Sequence, residues 1–324
     1  MRPGVRQRLL TKRSDCCHSK WRLDCPKIVG AVLMKAILLR TCAVLALTLA
    51  AGYVQAQPAQ STDESRVAYF QTRNIFHSGL RHTHTVALTF DDGPNAYTPA
   101  VLDVLKDQGV KATFFIVGRM ATRYPDVLAR IAAEGHLLGN HSATHPLLSK
   151  RYDAHPELLL DQIRQVDDQI APLMPRGTLM FFRAPYGSWR AEHADLLNSD
   201  PVLKKYIGPI YWDEGGEIAI SDDGYILSAA DWSCWHHGWD ATTCAKGYLR
   251  EIRRKDGGVV IMHCIHAESA ALVSAVVPAL IEEGYTFVRL DQVSSYLQYQ
   301  TPPSETEPSI AANDGRARVA SALR

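Results

Sequence analysis

Two adjacent carboxylates, Asp91 and Asp92, follow the apolar, β-branched run 85–90. The run predicts a buried strand, and Gly93 and Pro94 end it, because Gly accepts turn dihedrals and Pro has no N–H for a ladder. Neighbouring carboxylates at a buried strand end repel each other, and a cation that neutralises one of them makes the arrangement tolerable. We therefore expect metal ligands elsewhere in the chain.

Two histidines about fifty residues later are candidate ligands. His141 and His145 are four positions apart, so a helical or turn-like segment places both imidazoles on one face. Two histidines and one carboxylate form a three-ligand metal site with an open position, where bound water ionises near neutral pH. The ordinary alternatives are surface or capping histidines and a simple Asp-Gly-Pro turn.

Three further polar residues follow apolar runs: Arg183, Asp231 and His263. Five such runs, ending in order with Asp-Asp, a His pair, Arg, Asp and His, are difficult to explain as solvated loops. Catalytic groups collect at the carboxyl ends of strands in parallel α/β sheets, so we expect these side chains to converge.

The ordered motifs resemble those of the polysaccharide deacetylase family, also called carbohydrate esterase family 4, over about residues 83–295. Each motif alone is weak, but the ordered set is highly specific. The matching residues are 89–94 (T-F-D-D-G-P), 141–145 (H-S/T-x-x-H), 183–186 (R-x-P-Y/F), the pair Asp231 and Trp232, and His263.

This resemblance implies roles for the central residues. Asp92, His141 and His145 would hold a divalent cation, Zn²⁺ in the first place, with Co²⁺ or Ni²⁺ as alternatives. Asp91 would be the general base and His263 the general acid that protonates the departing amine. Spacing alone does not say which Asp is base and which is ligand.

The resemblance also implies roles for supporting residues. Arg183 would orient the base through a bidentate pair, and Asp231 would tune the acid. Tyr186 would offer its backbone N–H to the oxyanion, and Tyr186 and Trp232 would give apolar faces to a sugar ring. The ordinary alternatives are an ion pair between Arg183 and Asp231 and a core position for Trp232.

Two features depart from the family pattern. Cys264 occupies the place where the family usually has an Asp after the acid histidine, and His266 follows closely. The replacement of this Asp by Cys264 leaves the hydrogen-bond partners of His263 open. The segment 211–217 is longer than a minimal loop and carries aromatic and acidic residues, which could line a saccharide groove or simply pack.

The implied function is metal-dependent hydrolysis of carbon–nitrogen bonds other than peptide bonds. The enzyme would remove N-acetyl groups from a GlcNAc-containing poly- or oligosaccharide of chitooligosaccharide or peptidoglycan type. One alternative is an O-acetyl esterase acting on xylan or an exopolysaccharide, which needs the same metal and base but depends less on a strong acid. Another is a non-catalytic carbohydrate-binding protein on the same scaffold.

Apolar runs alternate with amphipathic segments and predict an α/β fold. A chain of 324 residues with 46% hydrophobic residues can bury one substantial domain. Seven or eight β/α units in just over 200 residues favour a small, distorted (β/α) barrel, and the resemblance implies the same. We predict a single catalytic domain at residues 83–300.

The segments on either side of the predicted domain differ from it in composition and pattern. Residues 34–56 combine a basic start, a short apolar core and a small-x-small cleavage site, which indicates a secretory signal peptide; an uncleaved anchor is the alternative. Residues 1–33 would then be an upstream extension that is not native. Residues 57–82 are predicted to be a linker or N-terminal arm, and residues 301–324 a disordered tail. The signal predicts a periplasmic or secreted protein that is free of the membrane after cleavage.

Charge bears on the partners. Removing residues 1–56 removes 10 Lys and Arg and 2 Asp and Glu, which takes the formal charge from +1 to −7. A mildly acidic chain does not favour nucleic acid, which needs a basic face. The expected partner is an N-acetylated glycan, and the sequence gives no oligomeric state.

Three cysteines follow the predicted signal: Cys234, Cys244 and Cys264. In an oxidising compartment Cys234 and Cys244 are the natural pair, because they close a short loop. A bridge to Cys264, or three buried thiols, stays open.

Overall fold

The computed structural model describes residues 78–152 and 155–299 of the 324-residue chain. The predicted upstream extension, signal peptide and C-terminal tail lie outside these residues, as does the predicted arm up to residue 77. Within the described part, no helix combines the length and the apolar character needed to cross a membrane.

Nine strands occur in the described residues, and seven of them pair in parallel. The parallel strands are β1 (Thr85–Asp91), β2 (Thr113–Ile116), β3 (Leu137–Asn140), β4 (Met180–Phe181), β5 (Tyr206–Ile207), β8 (Gly257–His263) and β9 (Thr286–Phe287). An antiparallel hairpin consists of β6 (Ala219–Ile220) and β7 (Ile226–Ser228).

Helices connect the strands. In chain order they are α1 (Thr98–Asp107), α2 (Gly118–Arg123), α3 (Pro125–Ala133), α4 (Leu148–Arg151), α5 (Glu157–Ile170), α6 (Ala191–Ser199), α7 (Asp231–His236), α8 (Ala241–Lys255), α9 (Ser269–Glu282) and α10 (Ser294–Leu297). Local sequence sets several ends: Asp240 caps α8 by accepting the Thr243 N–H, and Pro99 occupies the first turn of α1.

The strands close into a distorted (β/α) barrel, as predicted. The main sheet has the order β3-β2-β1-β8, with β9 beside the start of β1. A bridge between Asn140 and Phe182 joins β3 to β4, which pairs with β5. A second bridge, between Glu214 and Val260, brings the chain after β5 against β8. Because β4 and β5 have only two residues each, this side of the barrel is irregular.

Continuous apolar character in the strands reflects burial on both faces. Successive side chains point to opposite faces, so Val86 and Leu88 pack under the outer helices while Ala87 packs inside the barrel. Along the same strand, Asp91 lies on the inner face four residues after Ala87, and this parity brings it to the mouth of the barrel.

One strand end predicted from sequence is wrong. Asp231 was expected at the end of a barrel strand, but β7 pairs only with β6, and Asp231 is the first residue of α7. The apolar run before Asp231 packs on α8 instead.

The last residues of the predicted arm also pack: Ser78 and Leu80 are buried, and Arg81 pairs with Asp213 at 2.9 Å.

Candidate active site

The two carboxylates of the first motif approach the same ring nitrogen. His141 Nε2 lies 3.6 Å from Asp91 Oδ2 and 3.5 Å from Asp92 Oδ1. Consecutive side chains of an extended strand point apart, so the chain must turn between them. Asp92 supplies that turn with a left-handed backbone, φ 72°.

Left-handed backbone is concentrated here. Four of the seven described non-glycine residues with positive φ are at the site: Asp92, Ser142, His145 and Tyr186. Such conformations cost about 1 to 3 kcal/mol each and persist where the surroundings determine them. The strain indicates that the backbone is bent to aim side chains.

The histidine pair lies on a loop after β3 and not on a helix. Asn140, the last residue of β3, fastens this loop because its amide accepts the Ser142 N–H at 3.0 Å and donates to the Ile163 carbonyl at 2.8 Å. The Ser142 hydroxyl in turn accepts the His145 N–H at 3.2 Å. The sequence-based alternative of a turn-like segment is therefore the correct one.

Asp92, His141 and His145 form a candidate metal site. One ligand atom from each lies within 4.8 Å of the others, and His145 Nε2 is 3.1 Å from Asp92 Oδ1. His141 Nδ1 lies 2.8 Å from the Arg183 carbonyl, which can only accept, so Nδ1 donates there and Nε2 faces Asp92.

The residues present fit a bound cation. Asp92 Oδ1 is buried, and no described residue gives it a hydrogen bond of good geometry. A buried oxygen surrounded by two imidazole nitrogens lacks a partner that a divalent cation would supply. Burial alone would raise the pKa of Asp92, but the neighbouring imidazoles of His141 and His145 hold that pKa well below its usual range.

Arg183 is fully buried and anchors the other carboxylate. Its Nη1 donates to Asp91 Oδ1 and to the Thr89 hydroxyl, both at 2.8 Å. The predicted bidentate pair is wrong: Nε donates to the Ile210 carbonyl and Nη2 to the Tyr211 carbonyl. The guanidinium therefore links Asp91 to the segment that closes the barrel, and it does not pair with Asp231.

His263, the last residue of β8, lies beside Asp91 of β1, with which it is in register. Its Nδ1 is 2.8 Å from Asp231 Oδ1, and its backbone N–H donates to Asp231 Oδ2 at 2.6 Å. Burial alone would lower the pKa of His263, but the charge and hydrogen bond of Asp231, with Asp92 and Asp91, raise it to about 10. The ring thus favours the protonated form.

The residue after His263 does not disturb this pairing. Cys264 Sγ points into the space left by Gly93 and lies 3.4 Å from the Thr98 hydroxyl. Burial raises the pKa of the Cys264 thiol to about 12, so it stays neutral. Cys264 is free, whereas a disulfide joins Cys234 to Cys244 and so links α7 to α8 behind Asp231.

These groups line one cleft of about 560 Å³. Tyr186 and Trp232, 68% and 52% exposed, lie at its wall, and the Tyr186 ring contacts His145 at 4.5 Å between centroids. Exposure removes the alternative of a core position for Trp232. Every site residue predicted from sequence lies in or directly behind this cleft, apart from the disulfide.

Sequence reasoning missed several lining residues. Trp212, Gly215 and Gly216 come from the segment 211–217, for which groove lining and packing were both open. A Cβ at Gly216 would come within 2.2 Å of the Trp212 indole, so glycine permits the close approach. Aromatic residues close to glycines in an overlong segment were the available signal. Ala184, Ile261, Ile265 and His266 complete the lining.

Comparison with known proteins shows the family to which the chain belongs. The family model for polysaccharide deacetylase matches residues 79–202. The chain is 31% identical to a chitooligosaccharide deacetylase of Sinorhizobium fredii over 224 residues, which is 64% of this chain and 91% of that one. The fold and the matched relatives define a carbohydrate deacetylase scaffold, and the chain belongs to the polysaccharide deacetylase family.

Two further relatives bear on the extent of the likeness. A peptidoglycan-N-acetylglucosamine deacetylase of Bacillus cereus is 41% identical over 111 residues, which cover 34% of this chain and 39% of that one. The chain therefore spans about two fifths of the length of that relative. The structure of peptidoglycan deacetylase PdaC from Bacillus subtilis matches with a TM-score of 0.50 and 28% identity, over 69% of this chain and 94% of the other.

Proposed function

We propose that this chain is a metal-dependent deacetylase that removes N-acetyl groups from a GlcNAc-containing poly- or oligosaccharide. The observation that carries the proposal is the convergence of three candidate metal ligands, the buried carboxylate of Asp91 and the imidazole of His263 on one cleft. The similarity to peptidoglycan and chitooligosaccharide deacetylases supports the substrate class.

Asp92, His141 and His145 would hold the cation, Zn²⁺ being the simplest choice for one carboxylate and two imidazoles. When bound, the ion supplies a Lewis acid for the acetyl carbonyl. The Tyr186 N–H points to a complementary role, because no described residue accepts a hydrogen bond from it. It can donate to the oxygen on which negative charge develops.

Asp91 and His263 would move the protons. Asp91 accepts a proton from the attacking water, and Arg183 fixes the orientation of its carboxylate through the 2.8 Å contact. His263 directs Nδ1 to Asp231, so Nε2 is free to protonate the leaving nitrogen. One proton is taken and one is given, which balances hydrolysis of an amide to acetic acid and an amine; these ionise in water to acetate and an ammonium group.

The two chemical alternatives, N-deacetylation and O-deacetylation, differ in how much they need a general acid. An amine leaves poorly unless it is protonated, whereas an alcohol leaves an ester more easily. A histidine whose pKa is raised to about 10 is protonated at neutral pH, so it can supply the proton that an amine leaving group needs. The disulfide between Cys234 and Cys244 supports the proposed periplasmic or secreted location, since such bonds persist in oxidising compartments.

Acetate release tests the proposal. The chain from residue 57 should release acetate from N-acetylated chitooligosaccharides, and faster than from acetylated xylan. The reverse preference would make it an O-acetyl esterase. Binding of the oligosaccharide without any acetate release, in protein shown by metal analysis to hold one ion per chain, would make it a carbohydrate-binding protein.

A further inference from the structure

We propose that His266 is a substrate-contacting residue that hydrogen-bonds a hydroxyl of the sugar next to the acetamido group being cleaved. The inference rests on the proposed function. It extends that function by naming a residue that would distinguish a sugar amide from a simple acetyl compound.

The backbone holds His266 in a fixed relation to the proposed acid. Its N–H donates to the Ser269 hydroxyl at 3.2 Å, and that hydroxyl donates to the His263 carbonyl at 2.7 Å. Ser269 is buried at the start of α9. These two hydrogen bonds of Ser269 close the loop between His263 and His266, so the His266 backbone cannot move far without disturbing His263.

The His266 ring lies at the cleft wall beside the acid. Its centroid is 6.4 Å from that of His263 and 6.4 Å from that of Trp235. The ring is half-buried, and among the described residues none makes a hydrogen bond with it. Burial lowers the pKa of His266, so the neutral ring offers one donor and one acceptor.

The other acidic and imidazole side chains of the cleft already have work in the proposed reaction. Six acidic or imidazole side chains line the cleft, His266 included, and the other five are the three metal ligands, the base and the acid. Asp91 is held by Arg183, and His263 by Asp231. His266 is the one that remains uncommitted. A polar ring in a partly desolvated wall gains most when a ligand supplies its missing partner.

The place of the sugar ring follows from the position of the acid. His263 faces the leaving nitrogen, so the sugar ring that carries this nitrogen extends along the wall next to His263. Tyr186 lies beside the metal ligand His145, which its ring contacts. The C3 hydroxyl, next to the carbon that carries the leaving nitrogen, would then come to His266, which can donate to it or accept from it.

Two variants and a control test this role. His266→Phe keeps a planar ring and removes the hydrogen bond, while His266→Gln keeps a donor and an acceptor. His236→Phe is the matched control, because His236 is exposed on α7 and does not line the cleft. Melting temperature and zinc content show that each variant is folded and loaded.

Specificity is the first readout. The ratio of kcat/KM for N-acetyl chitopentaose to kcat/KM for 4-nitrophenyl acetate should fall about tenfold in His266→Phe, the value of one hydrogen bond of about 1.4 kcal/mol. His266→Gln should recover part of the ratio, and His236→Phe should leave it unchanged. An unchanged ratio in His266→Phe, or an equal loss for both substrates, would overturn the inference.

Affinity is the second readout and does not need turnover. In an Asp91→Asn background, the Kd for the same pentamer should rise about tenfold when His266→Phe is added. If the wild-type chain released no acetate, the proposed function would fail, yet this arm would still decide the role of His266. A rise in Kd would support the contact with sugar, and an unchanged Kd would refute it.

Discussion

Strand β8 passes two buried acidic sites that differ in how their charge is compensated. At its carboxyl end His263 lies beside Asp91, which Arg183 holds. Five residues earlier, about 16 Å away along an extended strand, Gly258 lies against the carboxyl group of Glu214. A Cβ at Gly258 would come within 2.5 Å of both Glu214 oxygens, so only glycine leaves room for this group.

Glu214 is fully buried, and neither of its oxygens has a hydrogen-bond partner among the described residues. The nearby cations are already used: Lys255 binds Glu251 at 2.7 Å, and Arg81 binds Asp213. Burial, with repulsion from Asp213, raises the pKa of Glu214 from 4.5 to about 9. Burial and the charge of Asp213 together keep the Glu214 carboxyl group neutral, whereas Asp91, at the other end of β8, has Arg183 as a dedicated cationic partner.

Removing a ligand should give the largest effect. Asp92→Ala leaves two imidazoles without the carboxylate, so the site should lose its ion, and acetate release should fall about a thousandfold. That factor corresponds to about 4 kcal/mol of lost electrophilic stabilisation. Parallel measurement of metal content and rate checks it. Full activity in a metal-free Asp92→Ala protein would show that the site beside His263 works without a cation, and it would then not differ from the Glu214 site in needing one.

Arg183→Met should make Asp91 resemble Glu214, a buried carboxyl group without a cation. Taking one partner from a buried ion pair costs about 3 to 5 kcal/mol. We expect the free energy of unfolding in urea to fall by this order, together with loss of acetate release. Arg119→Met, at an exposed position on α2, is the control. A variant as stable as the wild type would show that Asp91 needs no partner.

Glu214→Gln should flatten the pH dependence of stability. Between pH 4.5 and 9 the folded chain keeps a proton on Glu214 that the unfolded chain releases. The folded state then binds one more proton, so this group makes the free energy of unfolding fall as pH rises, by about 1.4 kcal/mol per pH unit. Urea unfolding at pH 5.5 and pH 8 should show a smaller decrease in the variant.

The exposed Glu217 supplies the control for that measurement. Glu217→Gln should keep the wild-type decrease in stability between the two pH values. If Glu214→Gln retained the same decrease as well, Glu214 would be ionised in the folded protein and the contrast along β8 would be wrong.

Asp231→Asn should give the smallest change, confined to the acid. Asp231 is the main cause that raises the pKa of His263, so its neutralisation should lower that pKa. The protonated acid is then lost at lower pH, and the alkaline limb of kcat/KM should move down by about one unit or more. An unmoved limb would separate Asp231 from the acid step.

Sequence reasoning was most effective where chemistry and strand ends coincide. The runs before Asp91 and His263 predict parallel strands that the structure shows side by side, because continuous apolar character marks burial on both faces. The metal triad followed from residue types and from the family motifs. These signals are local, and the sequence states them directly.

What sequence reasoning could not supply depends on contacts between distant segments. Left-handed backbone at Asp92 is imposed by the site and has no signature at a non-glycine residue. The carbonyl partners of Arg183 belong to a segment whose path closes the barrel irregularly. Asp231 was expected at the end of a barrel strand because an apolar run alone does not say whether it pairs within the barrel or packs on a helix.

The central claim is that Asp92, His141 and His145 hold one divalent ion between Asp91 and His263. Anomalous diffraction at the zinc edge, from crystals of the chain beginning at residue 57 grown with equimolar zinc, tests it directly. We predict one peak about 2.0 to 2.2 Å from Asp92 Oδ1 and from both Nε2 atoms. A map with no peak at these three atoms, or with its peak at other residues, would contradict the account.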